Sequence, residues 1–395
     1  MRTEPFDNYH MQPIPKRVMD SNPETAEPAF NTLLLDMNSI MKMSLVDRRL
    51  SSDGVDYGMI FQTLLQIKLA LRLMQFEYVY AFYDGVQSGI MRYDILPSYK
   101  ENRNKNFTKR RDDTEYNRSM DAFCAKVMAK SKKTKTDRMS GGETDDERFE
   151  RERLVVMECL ENLYIRNIYE DYVEGDDLIA YYVLHKKKKE RCVIVSSDRD
   201  LTQLISPTVS VYIPKMKKLI TPENHVSEIG YCHENVLLKK IICGDPSDNI
   251  KGVKGVGEKT LMDNFPDFRK RAMTIEEIVE GAKKINENRE REKKPHLKWA
   301  DNLAYGVTDG EQGNDLYRIN RRLMDLGRPM LTSEAVDTME AFMYAPMDPE
   351  GRSYDNLYKT LCDNGVEELL NEEDFSRFFS DYTSISEKEK KRFLR

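Results

Sequence analysis

Apolar residues along this chain follow two rhythms. Short unbroken runs open at Leu33–Leu35 and recur at Tyr78–Tyr83, Cys192–Ser196 and Val209–Ile213. Runs without alternation are what strands buried on both faces look like. Between and after them the spacing is helical. Residues 57–76 contain no proline and predict a buried helix, and Leu154–Tyr164 and Asp176–His185 predict two more, the last opened by acids at its N-terminus. A dozen residues or more separate successive strands, enough for right-handed crossovers. The pattern therefore predicts an α/β fold: a mostly parallel central sheet with helices on both faces. From residue 234 the pattern becomes helical. Leu237–Cys243 ends a helix, a turn follows, and 317–345 and 354–380 read as a small C-terminal bundle. Residues 1–30, with five prolines and few aliphatics, read as a flexible extension. Residues 88–128 are polar, basic and helix-prone. Residues 131–150 read as a mobile insertion and 283–313 as a charged linker or surface excursion. The predicted division is an extension (1–30), a core (31–235) and a helical C-terminal region (236–395).

Five stretches each end on carboxylates: LLLDMN, AFYDG, YVEGDDLIA, VIVSSDRDL and CGDPSDN. The acids are Asp36, Asp84, Glu174, Asp176, Asp177, Asp198, Asp200, Asp245 and Asp248. Loops at the carboxyl ends of parallel strands meet at one edge of the sheet, so these acids should converge. Glu174 and Asp177 can share a face, and so can Asp198 and Asp200 in extended chain. Asp245 and Asp248 can reach one ion around a tight proline-containing turn. Any one of these acids alone reads as a cap or turn residue. Five in succession point to hard divalent cations, and all-oxygen donors favour magnesium or manganese over zinc. A pair of ions about 3.5–4 Å apart can bind the attacking and leaving oxygens of a phosphoryl transfer.

Net charge is −6 over 395 residues, which on its face disfavours a polyanionic partner. Without the nine cluster acids the remainder is −6 + 9 = +3. The basic residues are also clumped, at Lys100–Arg111, Lys186–Arg191, Lys215–Lys218, Lys251–Lys259 and Arg289–Lys298. Patches matter more than totals for holding phosphates. Charged residues make up 33%, and no apolar run or N-terminal segment reads as a membrane span or signal peptide. The six cysteines form no CxxC pair and read as reduced thiols of a cytoplasmic protein.

Two basic motifs accompany the acids. In SYKENR, Lys100 and Arg103 share a helical face, with Tyr99 four residues before Arg103. They can supply positive charge to a developing phosphorane; Tyr99 can stack on an unpaired base and Arg92 can hold a phosphate. The bland alternative is a solvated basic helix with Tyr99 partly in the core. In GVKGVGEKT, Gly252, Gly255 and Gly257 stand where backbone must approach something closely, with Lys254 and Lys259 adding charge. HKKKKER ends a helix and is explained by solvation and dipole placement. Cys232–His233 has no second pair for zinc, and Trp299 reads as packing.

In order, LLLDMN, FYDG, LPSYKENR, VEGDDLIA, VSSDRDLTQLI and CGDPSDNIKGVKGVGEKT resemble the 5′-nuclease (flap endonuclease) family over roughly residues 32–265. SGIMRYDILPSYKENR, SSDRDLTQL and RINRRLMDLGRPMLTSEAV are most similar to phage members, above all the ribonuclease H of T-even bacteriophages. The resemblance implies a PIN-like core and two metal sites. Asp36, Asp84, Glu174, Asp176 and Asp177 match the acids of the tighter site, and Asp198, Asp200, Asp245 and Asp248 those of the second. It implies that Lys100 and Arg103 contact the scissile phosphate and that 88–150 forms an arch over the site. Residues 236–270 would hold duplex through a helix–hairpin motif that can also take a potassium ion. The implied activity is two-magnesium 5′-3′ hydrolysis, with manganese able to substitute, of RNA–DNA primers, nicked duplexes or 5′ flaps in phage replication. A monomer acting on DNA and RNA–DNA hybrids is expected, with a single-stranded DNA-binding protein and a sliding clamp as partners. The sequence departs from its phage relatives in three places: an acid at Asp176, an intact GVKGVGEKT, and the segments 1–30 and 130–150. One rival is a haloacid-dehalogenase-type phosphatase, which needs an acid where Asn38 stands. The other is a non-catalytic scaffold that binds branched DNA.

Overall fold

The computed structural model describes residues 30–101 and 143–394. Its centre is a six-stranded sheet in the order β3-β2-β1-β4-β5-β6. The strands are β1 (Phe30–Asp36), β2 (Tyr78–Phe82), β3 (Arg166–Ile168), β4 (Glu190–Val195), β5 (Val209–Ile213) and β6 (Lys218–Ile220). β1 to β5 are parallel; β6 closes the edge antiparallel to β5. β3 and β6 are only three residues long, too short for a pattern in sequence to reveal.

The unbroken apolar runs are explained by two-sided burial. Leu33, Leu34 and Leu35 are all fully buried. Leu33 and Leu35 join one core with Val79, Ala81, Val193 and Val195. Leu34 joins the opposite core with Tyr80, Phe82, Ile194 and Val211. Side chains alternate across a strand, so one run feeds both layers.

Helices Gly58–Leu71 and Asp145–Asn162 cover the first face and helix Gly175–His185 the second. A third core belongs to the helices Val236–Cys243, Glu258–Asn264, Ile275–Arg291 and Lys298–Tyr305. A small fourth cluster, Leu96, Tyr99, Ile250, Leu323 and Met324, joins the segment after β2 to the helical layer.

Three expectations change. The C-terminal bundle is not a separate unit: Leu357, Leu361, Phe379, Tyr382 and Ile385 lie in the same core as β1 and β2. The helix carrying Leu357 and Leu361 packs on Asp145–Asn162, and the segment around Tyr382 packs on Gly58–Leu71, where the Tyr382 hydroxyl donates to the Leu64 carbonyl at 2.6 Å. Residues 283–313 are not a linker. Helices Ile275–Arg291 and Lys298–Tyr305 pack together, and Asn286 ties them by accepting from the Leu297 N–H at 2.8 Å and donating to the Leu297 carbonyl at 3.1 Å. The insertion placed at 131–150 ends early. Residues 145–150 already belong to helix Asp145–Asn162, which a capping box between Thr144 and Glu147 starts. The remainder of that insertion, the 1–29 extension and most of the arch lie outside the described residues.

β1 sits between β2 and β4, so the chain leaves it in one direction and later returns to its other side. That reversal is a topological switch point, where open α/β sheets place their ligands. Asp36 ends β1, Asp84 follows β2 and Asp198 follows β4.

Candidate metal centre

Asp36 caps helix Met37–Ser44, accepting from the Ser39 N–H at 3.0 Å, while its other oxygen accepts from the Ser196 hydroxyl at 2.5 Å. Asp84 accepts from the Gly175 N–H at 2.8 Å, across the first turn of helix Gly175–His185. Glycine suits that close approach, since a Cβ there would lie 3.2 Å from the Tyr83 carbonyl carbon and 3.4 Å from the Asp84 carboxylate. Asp176 sits in the same turn, and Asp198 follows β4 and is exposed.

These four carboxyls are one another's electrostatic neighbours. Burial, then the nearby Asp84 and Asp198, push Asp36 up to about 7 against hydrogen bonds from Ser196 and Ser39. Burial and then Asp36, Asp198, Asp84 and Glu174 push Asp176 well above the ordinary carboxylate range. Among the described residues none of Asp36, Asp84, Asp176 and Asp198 forms an ion pair with a lysine or arginine, although Lys100 feels the charge of Asp84 from a distance.

The other acids are compensated by the chain itself. Arg92, 6% exposed at its side chain, forks onto Asp177 at 2.6 and 3.1 Å and reaches Glu174 at 3.2 Å and the Leu323 carbonyl at 2.9 Å. Lys100 lies 2.6 Å from Glu174. Despite burial, Arg92, Lys100 and Tyr99 hold Glu174 down at about 2. Burial lifts Asp177 above its ordinary value despite its fork with Arg92. Lys240, 8% exposed at its side chain, bonds Asp200 and lies 2.7 Å from Asp245. Burial still pushes Asp200 up to about 7. Asp245, also opposed by burial, is held at about 2 by Lys240 and Ser247.

The acids thus gather at the switch point, but unevenly. No three Asp, Glu, His or Cys side chains among the described residues are arranged to close around an ion. The donor set nevertheless fits hard cations: all oxygen, largely buried, and carrying uncompensated negative charge in its middle row.

Several expected roles are altered by the geometry. Arg92 does not face a phosphate; its guanidinium is sunk into the protein as a brace for Asp177 and Glu174. Tyr99 is 2% exposed and cannot stack on a base. Its hydroxyl donates toward Glu174 at 3.1 Å and Asp248 at 3.3 Å, and its ring meets Tyr93 edge-on. Lys100 is not on a helical face. It occupies a turn with φ of 53°, and its N–H donates to the Asp248 carbonyl at 2.8 Å. Arg103 lies outside the described residues. Asp198 and Asp200 are not extended in parallel: Asp198 accepts from the Asp200 N–H at 2.8 Å, and Asp200 turns to Lys240. Asp245 faces Lys240 and Ser247 while Asp248 faces Tyr99, so they serve different neighbours.

Gly252 likewise approaches the protein itself, since a Cβ there would lie 2.2 Å from the Cys243 carbonyl carbon. Gly257 instead faces open space, and Gly255, with φ of 76°, has only the Trp299 Cβ at 4.0 Å. Lys254 pairs with Asp309 at 2.6 Å and Lys259 with Asp263 at 2.9 Å. Lys186 and Lys187 at the basic run bond the Glu190 carbonyl and lie over the Tyr344 ring, a structural role.

Lys240 was missed by sequence reasoning. The signal was present: it stands four residues after buried Val236, on the apolar side of helix Val236–Cys243. A lysine there needs buried acids opposite it.

The family described as "5′-3′ exonuclease, N-terminal resolvase-like domain" matches residues 31–230. The chain belongs to this 5′-3′ exonuclease family. The phosphatase rival falls with that assignment. The thermostable DNA polymerase I of Thermus caldophilus is 33% identical over 153 residues, 38% of this chain and 18% of that protein. The 5′-3′ exonuclease of Aquifex aeolicus is 28% identical over 172 residues, 41% of this chain and 58% of that protein. The chain spans only about a fifth of the polymerase relatives it matches. In fold it is similar to the bacteriophage T5 flap endonuclease crystallised as a pseudo-enzyme–product complex with DNA and metal ions. That likeness has a TM-score of 0.51 at 18% identity, over 90% of this chain and 99% of that one. Among the described residues no helix is long and apolar enough to cross a membrane.

Proposed function

We propose that the chain is a divalent-metal-dependent 5′-3′ nuclease, hydrolysing phosphodiesters near the 5′ ends of RNA–DNA primers, nicked duplexes or 5′ flaps in phage replication. The observation that carries this reading is the row of carboxyls Asp36, Asp84, Asp176 and Asp198, which among the described residues form no ion pair with a lysine or arginine, at the switch point of a 5′-3′ exonuclease fold. Two magnesium ions, replaceable by manganese, would be held there. Asp36, Asp84, Glu174, Asp176 and Asp177 would surround one and Asp198, Asp200, Asp245 and Asp248 the other. Bound ions lower the pKa of water and stabilise an alkoxide leaving group.

The chain's own residues do the rest. Arg92 holds Glu174 and Asp177 in place. Lys100, fixed at the rim by Glu174 and by its left-handed backbone, brings positive charge to a scissile phosphate. Arg103 is the second cation at that phosphate. Gly255, Gly257, Lys254 and Lys259 present an open, basic hairpin to duplex backbone, which gives structure preference without base readout. A potassium ion on the hairpin carbonyls, a single-stranded DNA-binding protein and a sliding clamp rest on the family resemblance alone.

The test uses end-labelled RNA-primed duplex and DNA 5′ flap, with and without magnesium, beside a small phosphate ester. Magnesium-dependent cleavage of the nucleic acids, lost in Asp84→Asn and Asp198→Asn with folding intact, is expected. Wild-type rates in both variants would refute the site. An inert wild type that still binds flaps would leave the scaffold reading standing.

A further inference from the structure

With Tyr99 buried, the described face of the site has no aromatic where the sequence placed one. Of the tyrosines in residues 78–99 and 164–182, Tyr172 alone is an exposed residue, at 41%. It stands two residues before Glu174, a Cα separation of at most about 7.6 Å, on the scale of one nucleotide.

Its backbone is unusual. Tyr172 has φ of 70°, the left-handed region that glycine adopts freely and an aromatic residue seldom does. The loop is locked there. The Tyr172 N–H donates to the Val86 carbonyl at 2.8 Å, and the Gly85 N–H donates back to the Val173 carbonyl at 3.0 Å. The two loops press so closely that a Cβ on Gly85 would lie 1.7 Å from the Glu170 carbonyl oxygen. This pairing joins the Asp84 loop to the Glu174 loop, so the Tyr172 backbone is fixed relative to both.

Among the described residues the Tyr172 side chain has no hydrogen bond and no ring or cation contact. Glycine would fill the turn without strain. A tyrosine whose backbone is held there, exposed and two residues from Glu174, can serve as a stacking platform, because every base offers a π-face to an aromatic side chain.

Building on the nuclease reading above, we propose that Tyr172 stacks on the unpaired base next to the scissile phosphate and so favours substrates with a displaced or frayed 5′ nucleotide. Glycine at 172 keeps the backbone and removes the ring; phenylalanine keeps the ring. Stacking is worth about 1–3 kcal/mol per base, or roughly five- to hundred-fold at about 1.4 kcal/mol per tenfold.

The experiment compares wild type, Tyr172→Gly and Tyr172→Phe on a 5′ flap whose first unpaired nucleotide is normal, abasic or 2-aminopurine. In Tyr172→Gly, kcat/KM on the normal flap should fall five- to hundred-fold. The abasic flap should be cut alike by all three proteins. With calcium in place of magnesium, 2-aminopurine fluorescence should be quenched by wild type and Tyr172→Phe but not by Tyr172→Gly. The melting temperature of Tyr172→Gly should equal or exceed that of wild type, so loss of folding cannot mimic the result. Equal cleavage of the normal flap by wild type and Tyr172→Gly, or an equal loss on the abasic flap, overturns the stacking role and leaves the nuclease reading intact. A wild type that cuts no flap overturns the nuclease reading, and the stacking role with it.

Discussion

Replacing Arg92 by methionine tests whether this residue braces the site or binds substrate. The guanidinium makes two bonds to Asp177, one to Glu174 and one to a carbonyl, and Asp177 is itself 1% exposed at its side chain. After the change Asp177 keeps its bond from the Met330 N–H at 3.0 Å but loses its countercharge. Removing one partner of a buried pair costs about 3–5 kcal/mol, mostly because the other charge is stranded. Unfolding entropy near about 2.1 cal/mol/K per residue over 395 residues gives about 0.8 kcal/mol/K. Arg92→Met should therefore lower Tm by about 4–6 °C in metal-free calorimetry. Adding Asp177→Asn to it removes the stranded charge and should recover most of the loss. Flap affinity should change little, and the dependence of log Kd on log salt should keep its slope. An unchanged Tm together with weaker binding and a shallower salt slope would restore Arg92 as a phosphate ligand and refute the brace.

Lys100→Ala should slow single-turnover cleavage about a hundred-fold while duplex Kd holds within about twofold; the opposite pattern would make Lys100 a positioning residue. Lys240→Met strands Asp200 and Asp245, so the metal-free variant should melt lower, and manganese should raise its Tm by more than it raises that of wild type. An equal or smaller manganese shift would show that Lys240 does not neutralise that pair. Asp36 holds its proton more tightly folded than unfolded, so metal-free stability should fall as pH rises from 3.8 to about 7, by up to about 4 kcal/mol. Asp200, raised from 3.8 to about 7, acts in the same sense. Magnesium should then raise Tm more at pH 8 than at pH 5, and a flat metal-free profile across that window would count against the uncompensated row.

The order of elements, the parallel sheet and the acids at its carboxyl edge could be read from the sequence. Unbroken runs such as LLLD can be buried only between two layers, and strands that run parallel deliver their ends to one edge. The family's motifs lie in the chain in order, so membership too was legible in one dimension. Which acids the protein neutralises for itself was not. Arg92 lies 85 residues from Asp177, and Lys240 lies 40 from Asp200, and neither spacing carries a signal. Burial of Tyr99 depends on Ile250 and Leu323, which only the folded chain brings against it. The left-handed turn at Tyr172 is held by hydrogen bonds exchanged with the Asp84 loop. Periodicity fixes which apolar runs are buried and which residues end strands, because those follow from local spacing. The pairing of charges and the exposure of one ring follow from distances between remote segments, which close packing alone determines.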